Sequence, residues 1–518
     1  MEVFGKVDER PIWQEIFFEF SHLFPPGTAV GQLARRDSDL DPSREGVRVF
    51  FAMEGPREDG HRFLASALSR GAGALVLERR RMGDFSFPVP LLPVENPRHY
   101  WSLVQSRQWR GPDRSLALLA VTGTDGKTTC AFALQQLLGD GCGRITTVDR
   151  QLGGGRPPIP SRGTTPDAEE TFALLAAARE GGCSHVALEL TSQALQQGRL
   201  WGLSVAGAIF SNLSPEHLDY HGTLENYFDS KLRLFDGRNG PEPDISAVCV
   251  DDPWGRKLYH FLLRSGRRVL SYGSGPDCDF RLLRCRPDGD RIAVEIAAGK
   301  ELFSANLATL GRFNALNLLG ALALSSRYLP INVLRERLKS FRLPPGRLET
   351  VPLAGRARAF LDYAHTAGAL RSALTALREH FPDRPLGVLF GCGGGRDREK
   401  RPAMAAVAEA LADYVLVTSD NPRREEPEAI CREICAGFSR PAAHHTVPDR
   451  REAIRRGLAW AVRSEGVLLI AGKGHETEQI IGDASIPFSD GDVVAEWAER
   501  TPMGSTFPWT DGAADRTV

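Results

Sequence analysis

The chain has 518 residues, and at roughly 150 residues per domain this length predicts about three domains. Its 64 basic and 65 acidic side chains leave a net charge of −1, and 42% of the residues are hydrophobic, as in soluble globular domains. This charge balance gives no reason to expect the basic face that nucleic-acid-binding proteins normally carry, so we expect no nucleic-acid partner.

The cysteines also give information about the compartment. Nine of them are scattered along the chain, with no Cys-x-x-Cys pair and no zinc-ligand spacing. We interpret them as reduced thiols of a cytoplasmic protein. The first ten residues lack the basic start and apolar stretch of a signal peptide. No apolar run approaches the ~18 residues of a membrane span, and we expect a monomer.

Residues 1–112 form a first block that is mixed in character and rich in turns. It ends at Arg110-Gly111-Pro112-Asp113, which is typical of a linker. The second block, residues 113–343, alternates apolar strands with helical patterns. Its predicted elements are strands over 116–121, 185–190 and 206–213, a helix over 129–138, and a helix that begins at Pro166.

The third block, residues 344–518, follows a break at residues 342–346. Its predicted elements are strands over 359–363, 387–391, 414–418 and 467–471, and a helix over 403–411. The β/α alternation of the second and third blocks predicts the α/β class, with mainly parallel sheets and helices on both faces. Ligands bind at the carboxyl ends of the strands in such sheets.

Residues 123–129 read Gly-Thr-Asp-Gly-Lys-Thr-Thr, between a predicted strand and a predicted helix. Glycines let backbone N–H groups approach phosphate oxygens, and the helix N-terminus that follows favours anions. Lys127 can reach the β- and γ-phosphates, and the Thr128 hydroxyl can bind Mg²⁺. The general pattern has glycine at Val121, so this loop is a variant. An ordinary glycine-rich turn is the alternative.

Two further side chains follow neighbouring strands. Glu189 lies at the end of the strand predicted over 185–190, and His217 and Asp219 follow the strand predicted over 206–213. A carboxylate and an imidazole at adjacent strand ends could bind Mg²⁺. Solvated or capping residues are the alternative.

More motifs follow in order along the chain. They lie at residues 164–168, 189–195, 212–222, 311–317, 346–349, 362–366, 391–402, 420–423 and 472–476. Together with the phosphate loop they resemble the Mur ligase family. Their order and spacing are similar to those of its UDP-N-acetylmuramoyl-tripeptide synthetase branch, in the members that add meso-diaminopimelate.

The resemblance implies three domains. Residues 1–112 would be a smaller N-terminal α/β domain that binds a UDP-sugar. Residues 113–343 would be a central P-loop NTPase-like domain that binds ATP, and residues 344–518 a Rossmann-like α/β domain that binds an amino acid. ATP would phosphorylate the carboxylate of UDP-N-acetylmuramoyl-L-alanyl-D-glutamate, and the amine of meso-diaminopimelate would attack the acyl phosphate, a step of peptidoglycan synthesis.

Catalytic roles carried over by position fall on Lys127, Glu189, His217 and Lys231. The Mg²⁺ ligands would be Thr128, Glu189, His217 and Lys231, the last as a carbamate (N6-carboxylysine), because an ammonium cannot bind a metal. A salt-bridged helix lysine is the alternative for Lys231. The implied ATP contacts are Gly123, Thr124, Asp125, Gly126, Lys127, Thr128, Thr129, Asn314, Arg347 and Asp362.

The substrate contacts are carried over in the same way. Those for the UDP-sugar are Ser43, Arg44, Thr164, Thr165, Thr191, Gln197 and Arg199. Those for the amino acid are Arg396, Asp420, Asn421, Arg423, Gly472 and Glu476. Arg423 would bind the distal carboxylate in a bidentate manner, and Glu476 suits the distal ammonium. An Asx-type turn with a solvated arginine is the alternative at residues 420–423.

The first block departs most from the family. An Asp-Ser-Arg motif normally helps to bind the uridine nucleotide, and here Ser43-Arg44 takes that place after a shortened loop, with a solvated turn as the alternative. Three competing functions remain open: a related ligase that adds lysine, ornithine or another amino acid, a ligase for a different acid, and a non-catalytic protein that binds muropeptides.

Overall fold

The computed structural model describes residues 13–55, 58–440 and 444–500. Residues 1–12, on which the expectation about a signal peptide rests, lie outside these ranges. Three main sheets follow one another along the chain, each covered by helices, and a two-stranded hairpin is added to the last. The predicted α/β class with mainly parallel sheets is confirmed. Within the described ranges no helix is long and apolar enough to cross a membrane.

The first sheet has four parallel strands in the order β1-β2-β3-β4. They are β1 (Val30–Ala34), β2 (Val47–Phe51), β3 (Ala74–Glu78) and β4 (Leu91–Val94). Its helices are α1 (Trp13–Ile16), α2 (Leu64–Ser69) and α3 (Pro97–Gln108), with short 3₁₀ segments at Phe18–Leu23, Asp37–Asp39, Gly60–Phe63 and Arg79–Asp84. The carboxyl ends of the strands face the second unit, because Arg35 directly after β1 donates to Asp167.

The second sheet has eleven strands in the order β15-β14-β13-β12-β11-β10-β5-β9-β6-β7-β8. They are β5 (Ala117–Thr122), β6 (Cys142–Ile145), β7 (Asp149–Gln151), β8 (Ile159–Pro160), β9 (His185–Glu189), β10 (Gly207–Phe210), β11 (Ile245–Cys249), β12 (Val269–Gly273), β13 (Phe280–Asp288), β14 (Arg291–Ala298) and β15 (Glu301–Leu307). The strands from β6 to β13 across the centre are parallel, and both margins are antiparallel.

Helices cover both faces of this sheet. They are α4 (Pro112–Ser115), α5 (Lys127–Leu138), α6 (Ala168–Glu180), α7 (Ser192–Gln196), α8 (Leu218–His221), α9 (Leu224–Leu232), α10 (Pro253–Arg264), α11 (Arg312–Ser325) and α12 (Ile331–Lys339). Strand β5 is the centre of the core, since residues 118–121 have no exposed surface. Apolar side chains on both of its faces fix the strand that leads into the phosphate loop.

The third sheet has the order β16-β17-β21-β18-β19-β20 and is parallel except for β16. Its strands are β16 (Glu349–Pro352), β17 (Arg358–Asp362), β18 (Leu386–Phe390), β19 (Tyr414–Val417), β20 (His445–Thr446) and β21 (Val467–Ala471), and the hairpin is β22 (Glu478–Ile481) with β23 (Ala484–Pro487). Its helices are α13 (Ala367–His380), α14 (Lys400–Leu411), α15 (Pro427–Cys435), α16 (Arg450–Arg463) and α17 (Asp490–Arg500).

Three expectations about local structure need correction. The segment predicted as a linker is folded and packed, because Pro112–Ser115 forms α4 and the buried Asp113 accepts a hydrogen bond from Ser106 Oγ at 2.8 Å. The helix expected from Pro166 begins at Ala168, with Asp167 as its extended N-cap residue. The strand expected over 206–213 ends at Phe210, since the next two side chains turn to support the phosphate loop.

Candidate active site

The phosphate loop connects β5 to α5 and is supported by the segment after β10. Gly123 has φ +148° and Gly126 has φ +84°, and a Cβ at either would collide with Ser211 or Asn317. The Ser211 hydroxyl donates to the Asp125 carbonyl at 2.6 Å, and Asn212 Oδ1 accepts from the Asp125 N–H at 2.9 Å. These contacts hold the loop open for an anion at the α5 N-terminus.

A cavity of ≈ 370 Å³ lies over this loop, between the carboxyl ends of the second and third sheets. It brings together members of every predicted set: phosphate, metal, muramoyl and amino-acid residues. Its predicted lining residues are Thr124, Asp125, Gly126, Lys127, Thr128, Thr164, Glu189, Thr191, His217, Arg347, Arg396, Asp420, Asn421, Arg423, Gly472 and Glu476. Two units of the chain therefore form one site.

A second cavity, of ≈ 350 Å³, lies on the other side of the loop and receives the predicted nucleotide residues Thr129, Asn314 and Asp362. The buried Asp362 carboxylate accepts hydrogen bonds from two backbone N–H groups, at Leu348 and Ala364, both at 2.7 Å. Burial raises the pKa of Asp362. Polar groups and aromatic rings share this cavity, as a nucleoside requires.

Arg347 connects the two cavities. Its guanidinium lies 4.6 Å from the centre of the Tyr363 ring, and its Nη2 donates to the Thr128 hydroxyl at 3.2 Å. Its Nε is buried without a hydrogen-bond partner. A cation that is incompletely bonded beside the phosphate loop is suited to a polyphosphate.

Three of the predicted metal ligands, Thr128, Glu189 and His217, line the first cavity. The fully buried Glu189 accepts hydrogen bonds from the N–H of Thr147 at 2.9 Å and from its hydroxyl at 3.1 Å. His217 lies 3.7 Å from Glu216 and keeps 41% of its side chain exposed. No three His, Cys, Asp or Glu side chains of the described residues converge on one point. This arrangement fits Mg²⁺, which takes one or two protein carboxylates and fills its other positions with water and phosphate oxygens.

Lys231 is almost completely buried on α9, and its position can now be described. Its Nζ donates to the Gly123 carbonyl at 2.8 Å and lies 4.5 Å from the centre of the Tyr227 ring. It forms no ion pair with a carboxylate in the described part of the chain, so the alternative of a salt-bridged lysine lacks its partner. Burial and the nearby charge of Lys127 hold the pKa of Lys231 well below its usual value. Burial therefore favours the uncharged form of this amine, which faces the phosphate loop.

Glu216 is a residue of the site that the sequence analysis missed. Its Oε1 lies 3.2 Å from Nε2 of His365, and its Oε2 accepts from the Tyr227 hydroxyl at 3.5 Å. Burial alone would raise the pKa of Glu216, but His365, His217 and Lys127 hold it well below the usual range. Its position directly before His217 was the available signal.

The predicted amino-acid residues come from three loops of the third sheet, after β18, β19 and β21. Arg423 lies beside Arg396, and neither forms an ion pair with a carboxylate of the described residues; burial and Arg396 lower the pKa of Arg423. Asn421 Nδ2 donates to Glu476 Oε2 at 2.9 Å. Lys473, a fully buried residue that the sequence analysis did not assign, donates to the same oxygen at 2.8 Å.

The predicted muramoyl residues lie near the phosphate loop in the second unit. Thr165 donates its hydroxyl to the Glu189 carbonyl at 2.9 Å. Arg199 donates to Gln197 Oε1 at 2.8 Å and to the Thr165 carbonyl at 3.2 Å. Gln197 donates to the Tyr220 hydroxyl at 3.1 Å.

Ser43 and Arg44 do not join these residues. They lie in the turn before β2, at the amino end of the first sheet, whereas Arg35 at its carboxyl end reaches the second unit. Their contacts are local: Ser43 Oγ donates to Asp41 at 2.6 Å, and Arg44 is 3.9 Å from the same carboxylate. The geometry corrects the expectation that this pair binds the UDP-sugar.

A cluster of arginines lies instead between the first two units. Arg35 pairs with Asp167 at 2.8 Å, and Arg199 is 3.9 Å from the same carboxylate. Arg98 donates to the Glu54 carbonyl at 3.2 Å. Burial, together with the charges of Arg199 and Arg35, lowers the pKa of Arg98. This cleft concentrates positive charge that its acidic residues only partly balance.

Comparisons with known proteins give one consistent result. Residues 121–325 match the Mur ligase middle domain, and residues 346–474 match the Mur ligase glutamate ligase domain. A Pseudomonas aeruginosa protein named UDP-N-acetylmuramoyl-L-alanyl-D-glutamate--2,6-diaminopimelate ligase is 38% identical over 93% of this chain and 97% of its own length. A protein of the same name from Solibacter usitatus is 36% identical over 86% of this chain and 90% of its own length.

Solved structures agree. A structure titled with the same ligase name aligns with a TM-score of 0.65 and 27% identity, over 95% of this chain and 99% of that one. A Thermotoga maritima MurF ligase in complex with ADP aligns with a TM-score of 0.58 and 21% identity, over 90% of this chain and 97% of that one. The second likeness concerns the fold alone.

Proposed function

The chain belongs to the Mur ligase family, and from that premise we propose that it joins meso-diaminopimelate to UDP-N-acetylmuramoyl-L-alanyl-D-glutamate at the expense of ATP. The product is the amide, with ADP and phosphate released, and the reaction belongs to peptidoglycan synthesis. Residues 1–112 bind the UDP-sugar, residues 113–343 bind ATP, and residues 344–518 bind the amino acid.

ATP occupies the two cavities on either side of the phosphate loop. The nucleoside lies against Asn314 and Asp362, and the phosphates lie over residues 123–129. Lys127, which now folds back onto the carbonyls of Gly123 and Thr124 at 3.1 and 2.7 Å, turns to the γ-phosphate. Its charge and that of Arg347 offset the repulsion between a carboxylate and a triphosphate, which is the main barrier to their reaction.

Mg²⁺ would offset the charge of the phosphate oxygens, and the residues suited to hold it are Thr128, Glu189, His217 and a modified Lys231. The neutral Nζ of Lys231 attacks carbon dioxide; a C–N bond forms and one proton leaves to solvent. The resulting carbamate is an anion, as a metal ligand requires. Thr147 holds the Glu189 carboxylate in place through two hydrogen bonds.

The γ-phosphoryl group is transferred to the D-glutamyl carboxylate, which gives an acyl phosphate with a good leaving group. The amine of diaminopimelate attacks this carbonyl, and the tetrahedral intermediate collapses to amide and phosphate. The second and third units must meet around the reacting atoms. The contact between Glu216 and His365 supports such closure, which excludes water from the acyl phosphate.

The observation that carries this proposal is the charge pattern of the amino-acid loops. Arg396 and Arg423 offer two guanidiniums without a carboxylate partner, and Asp420 and Glu476 offer two carboxylates in the same cavity. Diaminopimelate has two carboxylates and two amines, whereas lysine has no distal carboxylate. A bidentate arginine would be left unpaired by lysine.

For the UDP-sugar we propose the cleft between the first two units. Thr164, Thr165, Thr191, Gln197 and Arg199 line its muramoyl side. Arg98 and Arg35 place positive charge where a diphosphate can be bound. This proposal replaces Ser43 and Arg44 as candidates.

The test is phosphate release from ATP in the presence of UDP-N-acetylmuramoyl-L-alanyl-D-glutamate and Mg²⁺, with meso-diaminopimelate, lysine, ornithine or no amino acid. We expect release with meso-diaminopimelate only, and no release from Lys127→Ala. Equal release with lysine would contradict the proposed specificity. Binding of the UDP-substrate without release in any mixture would identify a non-catalytic muropeptide-binding protein.

A further inference from the structure

A buried ion pair lies behind the amino-acid loops and has no part in the reaction described above. Arg450, the first residue of α16, and Asp490, the first residue of α17, both have side chains with 0% exposure. Nε of Arg450 donates to Oδ1 of Asp490 at 2.8 Å, and Nη2 donates to Oδ2 at 2.7 Å. The bidentate contact fixes the plane of the guanidinium.

The same guanidinium also holds the main chain at two strand ends. Its Nη1 donates to the Ser419 carbonyl at 3.2 Å, and its Nη2 donates to the Ala471 carbonyl at 3.0 Å. Ser419 directly precedes the loop 420–423, and Ala471 directly precedes the loop 472–476. These two loops carry all the predicted amino-acid residues except Arg396, which lies in the loop after β18.

No backbone ladder joins these two strand ends. In the sheet order, β18 lies between β19 and β21, so their carboxyl ends are not hydrogen-bonded to each other. The guanidinium of Arg450 joins the two strand ends, because it is planar and its N–H donors point in fixed directions. Lysine, with one rotatable ammonium, cannot hold a bidentate carboxylate and two carbonyls in the same arrangement.

We propose that Arg450, held by Asp490, is a positioning residue that sets the separation of loops 420–423 and 472–476 and thereby determines which amino acid the site accepts. The inference rests on the proposed function of these loops. Arg423 on one loop is assigned to a carboxylate, and Glu476 on the other is assigned to an ammonium. Diaminopimelate carries its distal carboxylate and its distal ammonium on one carbon, so the separation of the two loops determines whether the site can bind both groups at once; lysine offers only the ammonium.

The electrostatic surroundings agree with this role. Burial alone would lower the pKa of Arg450, but Asp490, Asp420 and Glu476 raise it, so the guanidinium stays charged. Gly472 is also close, since a Cβ there would lie 2.7 Å from Asp420 Oδ2 and 3.9 Å from Arg450 Nη2. Because the carbonyls directly before both loops accept hydrogen bonds from this guanidinium, a displaced Arg450 would move both loops.

The chain provides a matched control at the other end of the strands of the same sheet, where the strands begin. Arg378 donates to the Asp413 carboxylate at 2.8 Å and to the carbonyls of Arg384 and Leu411 at 3.1 and 3.2 Å. These contacts lie near the amino ends of β18 and β19. Arg378 therefore has the same kind of partners as Arg450, but it lies away from the amino-acid loops.

The experiment compares Arg450→Lys and Arg378→Lys with the wild-type enzyme. The quantities are KM and kcat for meso-diaminopimelate, ATP and the UDP-substrate, the ratio of kcat/KM for meso-diaminopimelate over lysine, and the Tm. For Arg450→Lys we expect a KM for meso-diaminopimelate raised about 10-fold or more and a lower selectivity ratio, because small misplacements of binding groups have effects of this order. The KM for ATP should stay within about 2-fold. Arg378→Lys should change only the Tm.

A second variant covers the case in which Arg450→Lys does not fold. Asp490→Asn keeps the shape and one acceptor but removes the charge, and it should raise the KM for meso-diaminopimelate in the same direction. The inference is overturned if the variants lower the Tm but leave that KM and the selectivity unchanged, or if all three KM values rise together. Failure of the proposed function shows separately, as a wild-type enzyme that does not use meso-diaminopimelate; the variants are then compared with the amino acid that it does use.

Discussion

Nε2 of His365 lies 3.2 Å from Oε1 of Glu216, and this contact connects the third sheet to the loop after β10 in the second. The same carboxylate lies 3.7 Å from His217 and faces Lys127 across the cavity. Glu216 is thus an acidic residue that lies among basic side chains contributed by two units of the chain. It couples closure of the site to the arrangement of the phosphate-binding side chains.

The first prediction follows from this contact. Glu216→Gln keeps the shape but removes the charge, so the contact with His365 should weaken and the units should close less well. We expect kcat/KM for ATP to fall about 10-fold or more, the scale of one lost charged hydrogen bond. Asp219→Asn is the control, because Asp219 lines the same cavity and is exposed. If kcat/KM for ATP falls equally in both variants, the loss does not come from the contact between Glu216 and His365.

The second prediction concerns Lys231. Burial and Lys127 lower the pKa of Lys231, which favours the uncharged amine that forms a carbamate. Lys231→Ala should be nearly inactive but fold normally, and short carboxylic acids in the buffer should restore part of the activity by occupying the vacated position. Depletion of carbon dioxide should slow the wild-type enzyme reversibly. Lys257→Ala, an exposed lysine on α10, should have no effect. Full turnover by Lys231→Ala would remove Lys231 from the metal site.

The third prediction concerns pH and His221. This buried ring bonds Ser192 Oγ on α7 through Nε2 at 2.9 Å and Ser230 Oγ on α9 through Nδ1 at 3.2 Å. It therefore connects α7, which lies between the predicted muramoyl residues Thr191 and Gln197, to α9, which carries Lys231. Burial and the charges of His217 and Lys231 lower its pKa from 6.5 to about 4.

The unfolded chain thus takes up a proton at His221 before the folded protein does. The free energy of unfolding should be largest above pH 6.5 and should fall as the pH drops from 6.5 towards 4. His221→Gln keeps an amide near Ser192 but does not titrate, so its unfolding free energy should change less over this range. Urea unfolding at several pH values measures the difference. Parallel curves for the two proteins would show that another group is responsible.

The sequence predicts some of these features and not others, for physical reasons. The strand–loop–helix unit around residues 117–138 was predictable, because glycine spacing and an apolar run are local signals. The antiparallel strands β13–β15 were not predicted, since their pairing depends on contacts between strands. Glu216 was missed for a similar reason: its role depends on His365, which is 149 residues away in the chain.

The N-terminal site shows the opposite error. Ser43-Arg44 was selected because two adjacent residues matched part of a motif. A residue pair alone does not show whether it lies at the amino or the carboxyl ends of the strands. The carboxyl end of β1 leads to Arg35, and the amino end of β2 follows Arg44. Only the folded structure shows that these two positions lie at opposite ends of the strands.

The fourth prediction uses two neighbouring arginines. Arg423 lies in the cavity beside Arg396, whereas Arg424 pairs with Asp483 and is 79% exposed. Arg423→Ala should raise the KM for meso-diaminopimelate by orders of magnitude, because loss of a buried charged contact costs about 2–5 kcal/mol. The KM for ATP should barely change, and Arg424→Ala should resemble the wild-type enzyme. If Arg423→Ala uses meso-diaminopimelate as well as the wild-type enzyme does, Arg423 does not bind the distal carboxylate of this substrate.

The fifth prediction separates the two candidate positions for the UDP-sugar. Arg199 is partly buried in the cleft between the first two units, where Gln197, Thr165 and Asp167 hold it. Arg44 has 57% of its side chain exposed, in the turn before β2. Arg199→Ala should weaken binding of UDP-N-acetylmuramoyl-L-alanyl-D-glutamate about 10-fold or more, the scale of one charged hydrogen bond, and Arg44→Ala should leave it unchanged.

Calorimetry with the UDP-substrate alone measures this difference without turnover. Arg98→Ala provides a second test. Burial and the charges of Arg199 and Arg35 lower the pKa of Arg98, and a bound diphosphate would offset the repulsion among these three arginines. We expect its loss to weaken UDP-substrate binding and to leave the constants for ATP and meso-diaminopimelate unchanged. If Arg44→Ala weakens binding while Arg98→Ala and Arg199→Ala do not, the nucleotide sugar binds at the other edge of the first sheet, and the cleft assignment is wrong.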